Sequence, residues 1–114
     1  MCRFELLHVG INHDNEEDAL RMAELLCMLF NLQIRSDKNC IFAGEFFDCV
    51  KFHDRGIHGH IAMGTDDLPA AIEEFRSKGF SVDMEHAAYA EAGNLKSVYL
   101  DADFSGFKIH VMQK

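Results

Sequence analysis

An internal repeat constrains this sequence more than any other feature. The run LHVGI at residues 7–11 is followed by an acidic helix start, and GHIAM at residues 59–63 is followed by another. Their histidines, His8 and His60, are 52 positions apart in a chain of 114 residues. A repeat of about half the chain predicts two related modules whose sheets associate, because one module could not shield its concave face alone.

Hydrophobic periodicity and turn residues predict strand, helix and three strands in each half. The first half has predicted strands at 4–11, 32–35, 40–44 and 46–53, with a helix over about 15–30. The second half has strands at 58–63, 80–84, 96–100 and 107–112, a turn at 92–94, and a helix that starts within 65–69 and ends before Gly79. We therefore expect one α+β domain over 1–114, with modules at about 1–55 and 56–114. The alternative is a ferredoxin-like domain, but that fold has only four strands, whereas the pattern predicts about eight.

Composition excludes several classes of function. The chain has 19 acidic and 11 basic residues and a net charge of −8, whereas a nucleic-acid partner requires clustered Lys and Arg. No apolar run is long enough to span a membrane, and the first residues enter a predicted strand without the features of a signal peptide. The four cysteines show no C-x-x-C spacing, so we expect reduced thiols and a soluble cytoplasmic protein.

Strand parity singles out three histidines and one aspartate. His8, His60 and His110 each lie on the face of a predicted strand opposite its apolar residues, and Asp48 lies opposite Phe47 and Cys49. If the sheet curls around a cavity, three imidazoles and a carboxylate converge there. This donor set suits Zn²⁺, Ni²⁺, Fe²⁺, Mn²⁺ or Co²⁺, and affinity alone does not choose among them.

Other interpretations stay open at this point. The same pattern is also typical of hydrogen-bonded polar side chains that line a water-filled groove without a metal. His58 and His60 also form an H-x-H pair that can bind a metal on one strand face, although His58 is more typical of a loop. No dinucleotide fingerprint, phosphate-binding loop or nucleophile elbow is present, which excludes nucleotide binding by those routes.

Several motifs together resemble the vicinal oxygen chelate superfamily. They are LHVGI at 7–11, GHIAMG at 59–64 with DDL at 66–68, SKGF at 77–80, and DFSGFKIH at 103–110. This group includes glyoxalase I, bleomycin- and fosfomycin-resistance proteins, methylmalonyl-CoA epimerase and extradiol dioxygenases. Within it, the chain is similar to small single-domain glyoxalase-like proteins, including the C-terminal extension of some keto-deoxy-phosphogluconate aldolases.

The resemblance implies two βαβββ modules that form a curved mixed sheet around a cleft, with metal ligands on the first and last strands of each module. His8 and His60 match the histidines that open the modules. Asp48 lies where the first module commonly supplies Glu, and His110 lies where the last strand usually supplies Glu. These two departures from the family pattern weaken the prediction of the reaction more than the prediction of metal binding.

The implied function is metal-dependent lyase or isomerase chemistry on a small α-keto or α-hydroxy carbonyl compound, through chelation of two neighbouring oxygens and stabilisation of an enediolate. Asp48 is the candidate base. Phe46 and Phe52 share the predicted parity of Asp48, and Lys108 shares that of His110, so these three are candidate substrate contacts.

Two rival functions are a protein that sequesters a ligand without chemistry, as bleomycin-resistance proteins do, and an auxiliary domain of a sugar-acid aldolase. The expected partners are a small molecule and a second copy of the chain in a homodimer, with neither nucleic acid nor membrane.

Overall fold

All eight strands join in one mixed sheet, in the order β2-β3-β4-β1-β5-β8-β7-β6. The structure is a computed structural model that describes residues 1–114. The strands are β1 (Phe4–Asn12), β2 (Ile34–Ser36), β3 (Cys40–Ala43), β4 (Phe47–Val50), β5 (Gly59–Thr65), β6 (Val82–Tyr89), β7 (Leu95–Leu100) and β8 (Phe107–Gln113). The helices are α1 (Glu16–Phe30) and α2 (Leu68–Ser77).

The strand order repeats about the centre of the sheet. In each half the first strand pairs in parallel with the last, β1 with β4 and β5 with β8, and the two middle strands continue outwards to the edge. The halves join where β1 and β5 pair in antiparallel fashion. The two-module α+β fold predicted from the repeat is therefore confirmed.

Helix α1 covers the first half of the sheet. Asn15 is its N-cap, and the Asn15 side chain accepts a hydrogen bond of 2.8 Å from the backbone N–H of Asp18. The helix buries Ala19 and Ala23 completely against Ile41, Ala43 and Cys49 of the sheet. Small residues at the contact allow the helix to approach the sheet closely.

Helix α2 covers the second half in the same manner. Asp67 caps its N-terminus, and Gly79 follows its C-terminus with φ +89°, a conformation that glycine adopts without steric cost. The helix buries Leu68 and Ile72 against strands β7 and β8. Because both helices lie on one face, the opposite face of the sheet is left for a site.

The observed elements depart from the predicted ones in two places. Strand β4 covers Phe47–Val50 rather than 46–53, because the chain turns before it at 44–46 and bends after it at 51–52. Strand β6 covers Val82–Tyr89 rather than 80–84, with register shifts between Asp83 and Tyr89 in its pairing with β7.

A β-bulge changes the face pattern of β1. Leu6 pairs with Met63, and His8 pairs with the adjacent Ala62, so Leu7 is an extra residue in β1. Leu6 therefore lies on the face of Met63, opposite the face of His8. Side chains of β1 do not alternate between the two faces of the sheet at the bulge. Beyond it they do, so His8 and Gly10 share one face.

Neither helix is both long enough and apolar enough to cross a membrane. All four cysteines are free thiols, as predicted.

Candidate metal centre

Three predicted ligands converge at the centre of the sheet. His8 lies on β1, Asp48 on β4 and His60 on β5, the three adjacent central strands. His8 Nε2 is 3.2 Å from His60 Nε2, and Asp48 Oδ2 is 3.6 Å from His8 Nε2 and 3.5 Å from His60 Nε2. One donor atom from each residue therefore points to a common point.

The size of this triangle fits a single transition-metal ion. Two ligand atoms that each lie about 2.1 Å from one ion at a tetrahedral angle are about 3.4 Å apart. The three observed separations, 3.2, 3.5 and 3.6 Å, lie around that value. Two imidazole nitrogens and one carboxylate oxygen are a common donor set for Zn²⁺, Fe²⁺, Mn²⁺, Co²⁺ and Ni²⁺.

Buried polar atoms at the triangle lack partners within the protein. Asp48 and His60 are 6% and 7% exposed, and neither Asp48 Oδ1 nor His60 Nδ1 has a hydrogen-bond partner. Buried polar groups are almost always paired, because an unpaired one loses its hydration without compensation. The proposed ion would bind the other atoms of these side chains, Asp48 Oδ2 and His60 Nε2, so it would leave Oδ1 and Nδ1 unpaired. The fit to a metal therefore rests on the size of the triangle and on its donor types.

Gly10 makes room for the His60 side chain. Gly10 pairs with His60 across β1 and β5, and a Cβ atom on Gly10 would overlap the His60 imidazole ring. The φ angle of Gly10 is not positive, so the requirement for glycine is steric rather than conformational. Gly10 also pairs with Asp48 across β1 and β4 and thus lies between two of the three candidate ligands.

The surroundings keep the His8 imidazole neutral and the Asp48 carboxyl ionised. Burial lowers the pKa of His8, and nearby His60 lowers it further against the attraction of Asp48. Burial alone would raise the pKa of Asp48, but the adjacent His60 ring and Cys40 thiol outweigh it and lower that pKa. A neutral imidazole and an ionised carboxylate are the forms that bind metals.

Cys40 borders the site as a protonated thiol. Burial raises the pKa of Cys40 to about 12, and the negative charge of Asp48 adds to the effect. A thiol with this pKa is not a nucleophile near neutral pH.

His110, the fourth predicted ligand, lies beside the triangle rather than in it. The ligand atoms of His8, Asp48 and His60 all lie within 4.8 Å of one another, and His110 is outside this set. The His110 ring stacks on Tyr99 with 4.3 Å between ring centroids and 8° between planes. A role for His110 as a metal ligand stays a prediction.

Of the three predicted substrate contacts, the structure places only Lys108 on a strand. Phe46 lies in the turn before β4 and Phe52 in the bend after it, so strand parity does not orient either ring. They are 43% and 41% exposed. Lys108 lies on β8 opposite His60, on the same face, and its ammonium group donates a hydrogen bond of 3.1 Å to the carbonyl of Ala102. Substrate binding by these residues stays a prediction.

The remaining histidines lie outside the triangle. His58 precedes β5 and its ring lies against Gly106 and Phe107, so it does not share the strand face of His60. His86 forms an exposed group with Asp83 and Glu85, and its Nδ1 is 2.8 Å from Asp83 Oδ2.

Sequence reasoning missed the aromatic residues that flank the triangle. Phe42 pairs with Asp48 across β3 and β4, and its ring meets His8 edge-on at 5.6 Å. Tyr99 pairs with His110 across β7 and β8. Both follow from the register between neighbouring strands, which parity within one strand does not supply.

Comparison with known proteins shows the fold. A hypothetical protein, BH1468 from Bacillus halodurans, is 15% identical, with 97% of this chain and 94% of that chain covered and a TM-score of 0.61. Methylmalonyl-CoA epimerase from Mycobacterium tuberculosis is 19% identical, with 95% and 86% covered and a TM-score of 0.56. No model of a protein family and no curated protein matches the chain. Both structures are less than 25% identical to this chain, so the comparison shows that the chain shares their fold.

Replacing Gly10 by Ala tests whether this position shapes the site. We expect Gly10→Ala to lower the free energy of unfolding by about 1–3 kcal/mol, because the new methyl group must displace the His60 ring. Gly64→Ala is the matched control on the facing strand β5, where a Cβ would meet only flexible side-chain atoms of Leu7 and Lys114 at 3.0–3.1 Å. Urea denaturation measures both. Equal losses in the two variants would contradict the steric role of Gly10.

The depressed histidine pKa values predict acid sensitivity of the metal-free protein. Burial lowers the pKa of His110 from 6.5 to about 4, with nearby His60 and His8 contributing. These histidines therefore bind protons more readily in the unfolded chain than in the folded one, so their contribution to stability is complete above about pH 7 and is lost as the pH drops from about 6.5 towards 4. Allowing for partial exposure, His110 contributes about 2 kcal/mol to this loss.

Chelator-treated protein and the His110→Asn variant, unfolded in urea at several pH values, check this expectation. The variant should lose a smaller part of its stability between about pH 7 and 4, whereas His53→Asn, at an exposed site, should behave as the parent chain does. An unchanged slope in His110→Asn would refute the assignment.

Proposed function

We propose that this chain is a glyoxalase-like metalloprotein that binds one divalent transition-metal ion and acts on a small α-keto or α-hydroxy carbonyl compound. The observation that supports it most is the convergence of His8, Asp48 and His60 from three adjacent strands, at separations that suit one ion. The three side chains lie on the sheet face that the helices leave uncovered, and the His8 side chain is the most exposed of them at 20%.

Each ligand has a role that follows from its surroundings. His8 and His60 would each bind through Nε2, and the lowered pKa of His8 keeps its lone pair free near neutral pH. Asp48 would bind through Oδ2 and supply one negative charge. When bound, a divalent metal polarises neighbouring substrate oxygens and stabilises negative charge that develops on them.

Asp48 is also the proposed catalytic base. Its Oδ2 faces the histidines and its Oδ1 is buried, so the carboxylate would have to turn away from the metal to accept a proton from a substrate carbon. The low pKa of Asp48 makes the carboxylate a weak base. The step therefore requires a carbon acid that the site makes strongly acidic.

The shared fold adds support for proton-transfer chemistry. A structure with a TM-score of 0.56 to this chain is named a methylmalonyl-CoA epimerase, and an epimerase inverts one stereocentre. Isomerase or lyase chemistry on a small substrate is in keeping with that neighbour. We propose in addition that the chain acts in the cytoplasm as a homodimer.

Metal titration tests the proposed ligands. We expect purified, chelator-treated protein to bind one equivalent of Co²⁺ or Zn²⁺ per chain, and His60→Gln to weaken binding by at least about a hundredfold, because a ligand is lost. Isothermal titration calorimetry gives the stoichiometry, and the visible spectrum of Co²⁺ reports its ligands. His86→Gln is the matched control, since His86 belongs to the exposed group with Asp83 and Glu85.

Loss of binding in His86→Gln but not in His60→Gln would move the metal to the exposed group and refute the proposed centre.

Proton exchange tests the chemistry independently of a known substrate. Metal-loaded protein in D₂O should catalyse deuterium incorporation at the carbon next to the carbonyl in a panel of α-keto and α-hydroxy carbonyl compounds, followed by ¹H NMR. Asp48→Asn should reduce exchange by at least about a hundredfold, in keeping with the loss of a general base. Saturable binding of these compounds without any exchange would favour a ligand-sequestering protein instead.

A further inference from the structure

Two arginines lie over aromatic rings on opposite sides of the metal centre. Arg35 lies 4.3 Å above the Phe42 ring, which meets His8 edge-on. Arg55 lies 4.6 Å from the centre of the Tyr99 ring, which stacks on His110. Phe42 and Tyr99 are on β3 and β7, equivalent strands of the two halves of the sheet. The site therefore has an arginine on an aromatic ring at each end.

The two arginines differ in how their charge is balanced. Arg35 forms an ion pair of 2.7 Å with Asp37. Arg55 forms no ion pair, although the chain has 19 acidic residues. Of the five basic residues without an ion pair, Arg3, Lys38 and Lys96 are exposed, whereas Arg55 and Lys108 are partly buried. A partly buried guanidinium without a direct ion pair is uncommon, because it gives up hydration and gains little counter-charge.

Two acidic residues lie near Arg55 without forming an ion pair with it, Asp54, its neighbour in the chain, and Asp83. Asp83 pairs with Tyr99 across β6 and β7, but its Oδ2 is 2.8 Å from His86 Nδ1 and its Oδ1 accepts from the His86 backbone N–H at 3.3 Å. The Asp83 carboxylate is therefore turned to His86 rather than paired with Arg55.

The loop that carries Arg55 is held in place. The Asn12 side chain donates a hydrogen bond of 3.0 Å to the carbonyl of Gly56. Gly56 has φ +81° and lies so close to the start of β8 that a Cβ atom there would come within 3.1 Å of the Lys108 backbone nitrogen. The backbone next to Arg55 is thus held by one hydrogen bond and by close packing against the start of β8.

We propose that Arg55, supported by the Tyr99 ring, binds an oxyanion group, a carboxylate or a phosphate, at one end of the substrate. The planar guanidinium fork binds such groups through two parallel hydrogen bonds. Stacking on Tyr99 holds the fork in one orientation and reduces the entropy lost on binding.

The position of Arg55 sets the length of the substrate. Tyr99 on β7 is two strands from His60 on β5, with β8 between them, which corresponds to roughly 10 Å across the sheet. A substrate that reaches both ends is therefore a small acid or phosphate ester whose carbonyl oxygens are about that far from its anionic group. The length of the substrate rests on the proposed function, whereas anion binding by Arg55 does not require the metal.

NMR titration of chelator-treated, ¹⁵N-labelled protein tests the anion site. The probes are succinate, methyl phosphate and the uncharged succinamide, each added at constant ionic strength. We expect saturable shifts of the Arg55 side-chain Nε–Hε signal with at least one of the two anions and none with succinamide. Arg55→Met should weaken the binding by at least about tenfold, because the guanidinium fork is lost.

Arg35→Met is the matched control, because Arg35 also lies over an aromatic ring but is paired with Asp37. It should change the affinity by less than about twofold. Saturation by succinate alone identifies a carboxylate site, and saturation by methyl phosphate alone identifies a phosphate site. Binding of neither anion, or binding that survives Arg55→Met, would overturn the proposal.

The same titration with Zn²⁺-loaded protein separates this proposal from the proposed function. Anion binding that appears only with Zn²⁺ and survives Arg55→Met places the anion on the metal, which overturns the role of Arg55 and leaves the metal centre standing. Arg55-dependent binding in the His60→Gln variant supports the anion site even if the metal centre fails.

Discussion

The antiparallel pairing of β1 and β5 is the interaction on which the rest of the structure depends. It joins the two halves into one sheet and brings His8 and His60, 52 residues apart, within 3.2 Å of each other. Each half then adds its last strand in parallel beside its first, and β4 carries Asp48 to the same point. Gly10 lies opposite His60 in this pairing, where any side chain would occupy the place of the His60 ring.

Burial has opposite consequences for the two kinds of candidate ligand. It disfavours the charged form of any group, which keeps the His8 imidazole neutral and would by itself also neutralise Asp48. The neighbouring His60 ring and Cys40 thiol reverse this effect for Asp48 and keep its carboxyl ionised. The same three strands thus hold both donor types in the form that a divalent metal binds.

The fold and the candidate ligands could be predicted from the sequence because their signals are local patterns, whereas the meeting of three of these ligands depends on the pairing of β4, β1 and β5. The repeated strand, the capped helices at Asn15 and Asp67, and parity along β5 and β8 need no knowledge of register. The bulge at Leu7 and the shortened β4 could not be predicted, since they depend on pairing between strands. The arginine over Tyr99 lies in a loop, where no periodic signal exists, and its partner ring is 44 residues away in the sequence.

The location of a bound metal is the most direct test of this account. Crystals of the protein grown with Zn²⁺ or Co²⁺ and measured at the absorption edge of the metal would show its position by anomalous scattering. The account predicts one strong peak about 2.0–2.2 Å from His8 Nε2, His60 Nε2 and Asp48 Oδ2. A peak only at Asp83, Glu85 and His86, or none at the centre of the sheet in metal-loaded crystals, would contradict it.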